Sequence, residues 1–287
     1  MNKFAYFVLV FCLAAIVGCQ KDTPTWVIDP DKVDQESTSS YKGVVIKDVR
    51  VSSSNVQNAK CTIYLPSDWK TSGKKYPVLY LLHGMWSNNN EWVSKGLVDK
   101  TTDELVKKGE VPEIIVVTPD CRDCFYVDDY VQGQRYESFF HKDLMPFIEK
   151  NYPALTGKAN TAVAGLSMGG YGSVYHAFMY PDKFCLCYSM SGAVEGMGTD
   201  KVPSLKTIFE TKGYTAETAD LPKLILECGT EDNMCFNANV NTHNYLESIK
   251  FPHSYITRPG IHDWNFWTVC YPKCIKEFAA ILKATGE

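Results

Sequence analysis

The chain has 287 residues, 45% of them hydrophobic and 22% charged, which is ordinary globular usage and enough material for one sizeable core. Its formal net charge is only -4, and no segment concentrates Lys and Arg. A phosphate-backbone partner, and with it nucleic-acid binding, is therefore not expected.

Lys3 is followed by an apolar run, Phe4 to Val17, too short and too soon followed by polar sequence to span a bilayer. This predicts a signal peptide over 1–18. Its end, Ile16-Val17-Gly18-Cys19, resembles a bacterial lipobox, so Cys19 is the expected lipidation site and the membrane is reached through acyl chains. The following residues to 40 include Pro24, Pro30 and Asp34-Gln35-Glu36-Ser37-Thr38-Ser39-Ser40 without an apolar period, which reads as a solvated tether over 19–40. The folded domain is then 41–287, on an exported protein of the cell envelope. Setting aside Cys12 and Cys19 leaves nine of the eleven cysteines in that domain, so at least one thiol is free. Export permits disulfides, and Cys121/Cys124 and Cys270/Cys274 are close in sequence, but spacing does not decide connectivity. Zinc is a competing reading of Cys121-x-x-Cys124, weak without a second pair, and Cys185 and Cys187 read as apolar strand residues.

Val44 to Val51 and Lys60 to Leu65 alternate apolar and polar residues around a polar break, which predicts an antiparallel hairpin half exposed to solvent. Five short apolar runs follow: Pro77 to Leu82, Glu113 to Thr118, Thr161 to Gly165, Phe184 to Met190 and Lys223 to Cys228. Such continuous runs suit strands buried on both faces. Helical spacing occurs over Asp99 to Lys108, Glu137 to Asn151, Gly169 to Tyr180, Asn237 to Lys250 and Trp264 to Lys283. Alternating strands and helices need crossovers, so the expectation is an α/β fold, a mostly parallel doubly wound sheet that begins with an antiparallel hairpin.

Leu81-Leu82-His83-Gly84-Met85-Trp86 ends the first long buried run. In a sheet with a nucleophile turn, this loop supplies one oxyanion-binding N–H, and Met85 is the expected donor. His83 precedes the nucleophile and is expected to brace the loop. Gly165-Leu166-Ser167-Met168-Gly169 joins an apolar run to a helix-compatible stretch, the context of a strand-turn-helix nucleophile. Ser167 is therefore the expected nucleophile and Met168 the second oxyanion donor. Its flanking glycines remove Cβ atoms that would collide in so sharp a turn.

A Ser hydroxyl needs a base, and the chain has six His. In the order Ser, acid, His that this turn carries, the downstream choices are His176, His243, His253 and His262. His176 falls in the helix after Ser167, His243 fits a surface helix, and His253 opens the strand-like run His253-Ser254-Tyr255-Ile256-Thr257. His262 lies in a loop, Arg258-Pro259-Gly260-Ile261-His262-Asp263-Trp264, beyond a last strand, and is the expected base. The acid should follow Lys223 to Gly229, where Thr230-Glu231-Asp232 lies; Asp232 is preferred, with Glu231 and Asp263 as rivals.

Together Leu82-His83-Gly84, Gly165 to Gly170, Cys228-Gly229-Thr230-Glu231-Asp232 and Gly260-Ile261-His262-Asp263-Trp264 resemble the esterase D-like family of α/β-hydrolases, over roughly Tyr41 to Leu282. That family includes feruloyl and acetyl xylan esterases of carbohydrate esterase family one, S-formylglutathione hydrolases, siderophore esterases and mycolyltransferases. The resemblance implies a triad of Ser167, Asp232 and His262 and oxyanion amides from Met85 and Met168; no cofactor and no metal are expected. With export, it implies a serine carboxylesterase acting on feruloyl or acetyl groups of plant cell-wall polysaccharide. Acyl transfer to an alcohol, siderophore or general short-chain ester hydrolysis, and a surface binding protein that kept the fold are the alternatives. Trp86, Tyr126, Tyr130 and Trp264 are candidate substrate contacts, as are Trp92 and Trp267; for Trp264 and Trp267 core packing is the better expectation. The sequence leaves the oligomeric state open.

Overall fold

The computed structural model describes residues 41–285, so the expected signal peptide, Cys19 and the tether lie outside the described residues. Among the described residues, no helix is long and apolar enough to cross a membrane.

The elements in chain order are β1 (Val44–Arg50), β2 (Lys60–Leu65), β3 (Val78–Leu82), α1 (Glu91–Ser94), α2 (Val98–Lys107) and β4 (Ile115–Pro119). Next come α3 (Tyr136–Phe139), a π-helical turn (Phe140–Leu144), α4 (Met145–Asn151), β5 (Thr161–Leu166), α5 (Met168–Met179) and β6 (Leu186–Met190). The chain closes with α6 (Leu205–Lys212), β7 (Lys223–Gly229), α7 (Phe236–Ser248), β8 (His253–Arg258) and α8 (Trp264–Thr285).

The eight strands form one sheet in the order β1-β2-β4-β3-β5-β6-β7-β8. From β4 to β8 every pairing is parallel, while β2 is antiparallel to both β1 and β4. This is the mostly parallel sheet with an antiparallel start expected from the apolar runs, and the α/β-hydrolase arrangement that the resemblance implies. The hairpin departs from expectation in one respect. Pairing with β4 encloses β2, so Cys61, Thr62, Ile63, Tyr64 and Leu65 are all buried, and of the two hairpin strands β1 alone keeps a free edge.

Strands β3 to β7 are buried almost throughout because helices cover both faces. One core packs Val163, Val174, Phe178, Ile208 and Phe209 on one side; the other packs Ala162, Ala164, Trp92, Tyr271 and Phe278 on the opposite side. Successive residues of β5 thus serve different cores, as a pleated strand requires. Each fully buried aliphatic or aromatic side chain contributes roughly 1.5–3 kcal/mol relative to exposure, which is why the runs tolerate so few polar positions.

Two local features were not expected. Helix α6 is short, but its ends carry recognisable caps: Ser204 Oγ accepts the Thr207 N–H at 3.0 Å, and Gly213 closes it at φ +68°. The expected single helix over Glu137 to Asn151 contains the π-helical turn at Phe140–Leu144. All nine cysteines of the described residues are free, so Cys121 and Cys124, and Cys270 and Cys274, are not joined; Cys187 is buried and Cys185 half-buried.

The register places the site. Leu82 lies beside Gly165, Leu166 beside Met190, Met190 beside Glu227, and Gly229 beside Arg258. The loops after β3, β5, β7 and β8 therefore emerge together at the carboxyl edge of the sheet, the position where open parallel sheets carry their ligands.

Candidate active site

Ser167 stands between β5 and α5 at φ +54° and ψ -118°, a conformation that costs strain and persists only when surroundings over-determine it. They do so here. The Ser167 N–H donates to the Met190 carbonyl at 2.9 Å, and its carbonyl accepts from Tyr171 and Ala193. A Cβ on Gly165 would stand 2.3 Å from the Gly169 carbonyl oxygen, and one on Gly169 would stand 2.3 Å from that of Leu82. Both glycines are thus required by close backbone approach, and the helix can start directly behind the serine.

His262 follows β8, and its Nε2 lies 2.9 Å from Ser167 Oγ. Its Nδ1 lies 2.7 Å from Asp232 Oδ2. A carboxylate can only accept, so Nδ1 carries the proton and Nε2 presents a lone pair to the serine hydroxyl. Asp232 is buried, with its Oδ1 accepting the N–H groups of Met234 at 3.0 Å and Cys235 at 2.9 Å. Burial pushes its carboxyl up, but the bonds from His262 and Cys235 outweigh this and hold it below the usual Asp value. Glu231 is exposed, and Asp263 instead accepts the Phe266 N–H at 3.0 Å at the start of α8. Of the three carboxylates weighed, Asp232 is therefore the one that meets His262. Trp267 packs edge-on against the His262 ring at 5.0 Å, limiting its rotation. Donor atoms of Asp232, Cys235 and His262 lie within 4.8 Å of one another, but Asp232 and His262 bind each other through theirs, so a cation there would have to displace that bond.

Met168 is the first residue of α5, where a helical N–H has no intrahelical acceptor and the dipole favours negative charge. Met85 is half-buried on the loop after β3 and follows Gly84, on which a Cβ would stand 3.4 Å from that of Ser167. That loop is braced from below. His83 is buried, its Nδ1 lies 2.7 Å from the Gly84 carbonyl oxygen, and its Nε2 accepts the Cys121 N–H at 2.9 Å. The Trp86 N–H donates to Asp123 Oδ1 at 2.6 Å. No pattern in the sequence pointed to Asp123 or Cys121, because each contact joins segments more than thirty residues apart.

The aromatic candidates separate. Trp86 is 83% exposed, at φ +58°. Tyr126, expected at the pocket or surface, is instead fully buried and donates its hydroxyl to the His83 carbonyl at 2.9 Å, so it supports the loop from inside the core. Tyr130 is half-buried, edge-on to Phe125. Trp92 is fully buried and donates to the Leu82 carbonyl, while Trp264 is half-buried between Trp92 and Trp267. Sequence reading also passed over Met234 and Ile261, 68% and 52% exposed, which with Trp86 put apolar side chains one or two residues from Asp232, His262 and Met85.

The arrangement provides a polarised hydroxyl, a base oriented by a buried carboxylate, and N–H groups at a helix start. These are the parts that acyl transfer requires. A family model described as "Putative esterase" matches residues 52–270. The chain is similar to an esterase of Mycobacterium tuberculosis, 31% identical over 178 residues, 60% of this chain; it spans only 35% of that protein's length. Among solved structures it is similar to a ferulic acid esterase, 30% identical, with 84% of this chain and 98% of that one covered and a TM-score of 0.73. It is also similar to a ferulic acid esterase of Anaeromyces mucronatus in complex with ferulic acid, 25% identical, covering 88% and 96%, TM-score 0.69.

Proposed function

The chain belongs to the esterase family, and on that premise we propose that it is a serine carboxylesterase that releases feruloyl or acetyl groups from plant cell-wall polysaccharide through an acyl-enzyme. The observation that carries this reading is the unbroken chain of hydrogen bonds from Ser167 through His262 to Asp232 at the carboxyl edge of the sheet.

In the proposed reaction His262 Nε2 takes the Ser167 proton as Oγ attacks the ester carbonyl, and Asp232 stabilises the imidazolium that forms. The carbonyl oxygen, now negative, lies against the N–H groups of Met168 and Met85; one such donor is worth about 10²–10³ in rate. The imidazolium returns its proton to the departing alcohol, leaving the acyl group on Ser167. Water, deprotonated by His262, then releases the acid by the same steps.

The apolar side chains of Trp86, Met234 and Ile261 favour an acyl or alcohol part with an apolar face, which both a phenolic ring and a sugar ring possess. The proposal extends to the location. Lipidation at Cys19 would hold the enzyme at the cell envelope, where polymeric substrate is met.

The test is a hydrolysis panel of acetyl, butyryl and feruloyl esters, including feruloylated arabinoxylan fragments, on wild type and Trp86→Ala. The reading expects the highest kcat/KM on a feruloyl ester and a rise in KM for it in Trp86→Ala, with little change on a small acetyl ester. A preference for butyryl esters untouched by Trp86→Ala would replace it with general short-chain ester hydrolysis. Transfer of the acyl group to added alcohol in preference to water would make the enzyme a transferase.

A further inference from the structure

We propose that His243, Glu247 and His253 form a binding site for a first-row transition-metal dication of the zinc type, clamping α7 to β8 away from Ser167. The donor atoms of these three side chains all lie within 4.8 Å of one another. His243 and Glu247 are four residues apart on α7 and so share one helix face, while His253 opens the adjoining strand.

The orientation of the rings is specific. His253 Nδ1 lies 2.8 Å from the Phe251 carbonyl oxygen, which can only accept, so Nδ1 is protonated and the lone pair of His253 sits on Nε2. That nitrogen points at His243 Nδ1, 2.8 Å away. Tyr255 stacks on the His243 ring at 4.4 Å and 23°, holding its plane. A ring whose far N–H is held by a backbone carbonyl is the usual second contact of a metal-ligating histidine.

With no ion bound, the pair is joined by a proton on His243 Nδ1. On binding, that proton moves through solvent to His243 Nε2, and both lone pairs face the cation with no net change in protonation. Zinc–nitrogen bonds of about 2.0–2.1 Å in a tetrahedral ion separate the two nitrogens by about 3.3 Å, a widening that half-exposed side chains accommodate by small rotations. Glu247 supplies a carboxylate oxygen and the fourth position is left to water. Two imidazoles select zinc, copper, nickel or cobalt over calcium or magnesium, which take oxygen donors.

His253 is the first and Arg258 the last residue of β8, so the strand puts roughly 17 Å between this cluster and the edge from which the His262 loop leaves. The ion's role is thus to pin the sheet's last strand to its helix.

The test is thermal melting and calorimetric titration of the full chain with zinc chloride, with magnesium chloride as the second ion. Because Asp232, Cys235 and His262 form another donor set, a His262→Ala variant is run in parallel. Wild type and His262→Ala should both melt higher, by roughly 5–10 °C at free zinc about 100 times Kd, and magnesium should do nothing. His243→Ala and His253→Ala should each lose the shift, Glu247→Gln should weaken binding about tenfold or more, and esterase activity without metal should be unchanged in His243→Ala. A shift that survives in the His243→Ala/His253→Ala double variant, or is lost in His262→Ala, overturns the proposal. So does its absence from wild type. Should a variant fail to fold, cobalt(II) bound to wild type gives a second reading, since visible bands of a four-coordinate nitrogen and oxygen site support the proposal and a thiolate charge-transfer band refutes it.

Discussion

The imidazole of His262 and the imidazole pair His141–His176 occupy two regions of the same molecule, and they differ in what faces the ring. His262 is half-buried, with the Asp232 carboxylate at 2.7 Å on one nitrogen and the Ser167 hydroxyl at 2.9 Å on the other. His141 and His176 face each other at 2.9 Å, and Phe140 stacks on His176 at 4.4 Å. Burial, aided for His141 by Lys183, pushes His141 down to about 4, and burial with the neighbouring His141 pushes His176 well below its ordinary value. A ring beside a carboxylate can hold the positive charge that proton transfer creates. A ring buried against another ring stays neutral, and its work is packing.

The comparison predicts its largest effect at Ser167. Ser167→Ala should lower kcat on a p-nitrophenyl ester by roughly 10⁵-fold with an unchanged melting temperature, because the covalent step goes while the fold keeps its contacts. Half the wild-type turnover in that variant would break the assignment of the first region.

Next comes the carboxylate. Asp232→Asn should lower kcat about 10³–10⁴-fold, since an amide cannot hold the His262 tautomer or stabilise the imidazolium, whereas Glu231→Gln should stay within about twofold. A reversed ranking would show that the carboxylate facing His262 is not the one that matters.

The second region is tested by acid. Between pH 6.5 and about 4 the unfolded chain binds protons that folded His141 refuses, so stability must fall as pH falls through that window. His141 alone contributes a loss of about 2–3 kcal/mol, which urea midpoints collected across this range would register. Asp232 has the same sign but a lower window, because its folded carboxyl lies below the usual Asp value and its contribution is lost only in stronger acid. A His141→Leu/His176→Leu double variant should flatten the upper window and leave the lower one. An upper slope unchanged in that variant would place the acid sensitivity elsewhere.

The smallest effect joins core to site. Tyr126→Phe deletes one buried hydrogen bond to the His83 carbonyl, costing about 1 kcal/mol in denaturation and a few-fold in kcat through a loosened oxyanion loop. Equal stability with normal kcat would show that the loop needs no such brace.

Much of this was legible beforehand, for identifiable reasons. The five buried runs read as strands because a sheet covered on both faces admits few polar residues. Ser167 was legible because the turn that holds it demands glycine at two fixed places. Helix α6 was passed over although Ser204 and Gly213 mark its ends, since eight residues carry too little periodicity to stand out. The enclosure of β2 was not visible either, because its second partner, β4, lies more than fifty residues along the chain.

By itself the sequence determined the alternation of strand and helix, the strained serine turn and the order of serine, acid and base, all of which rest on local chemistry or on residue order. Only the tertiary structure decided that Asp232 and not Glu231 meets His262, that Tyr126 turns inward while Trp86 stays in water, and that His141 finds His176 while His243 finds His253. Those outcomes depend on which loops a shared sheet register brings side by side, and a register between distant strands is set by the packing of the whole domain.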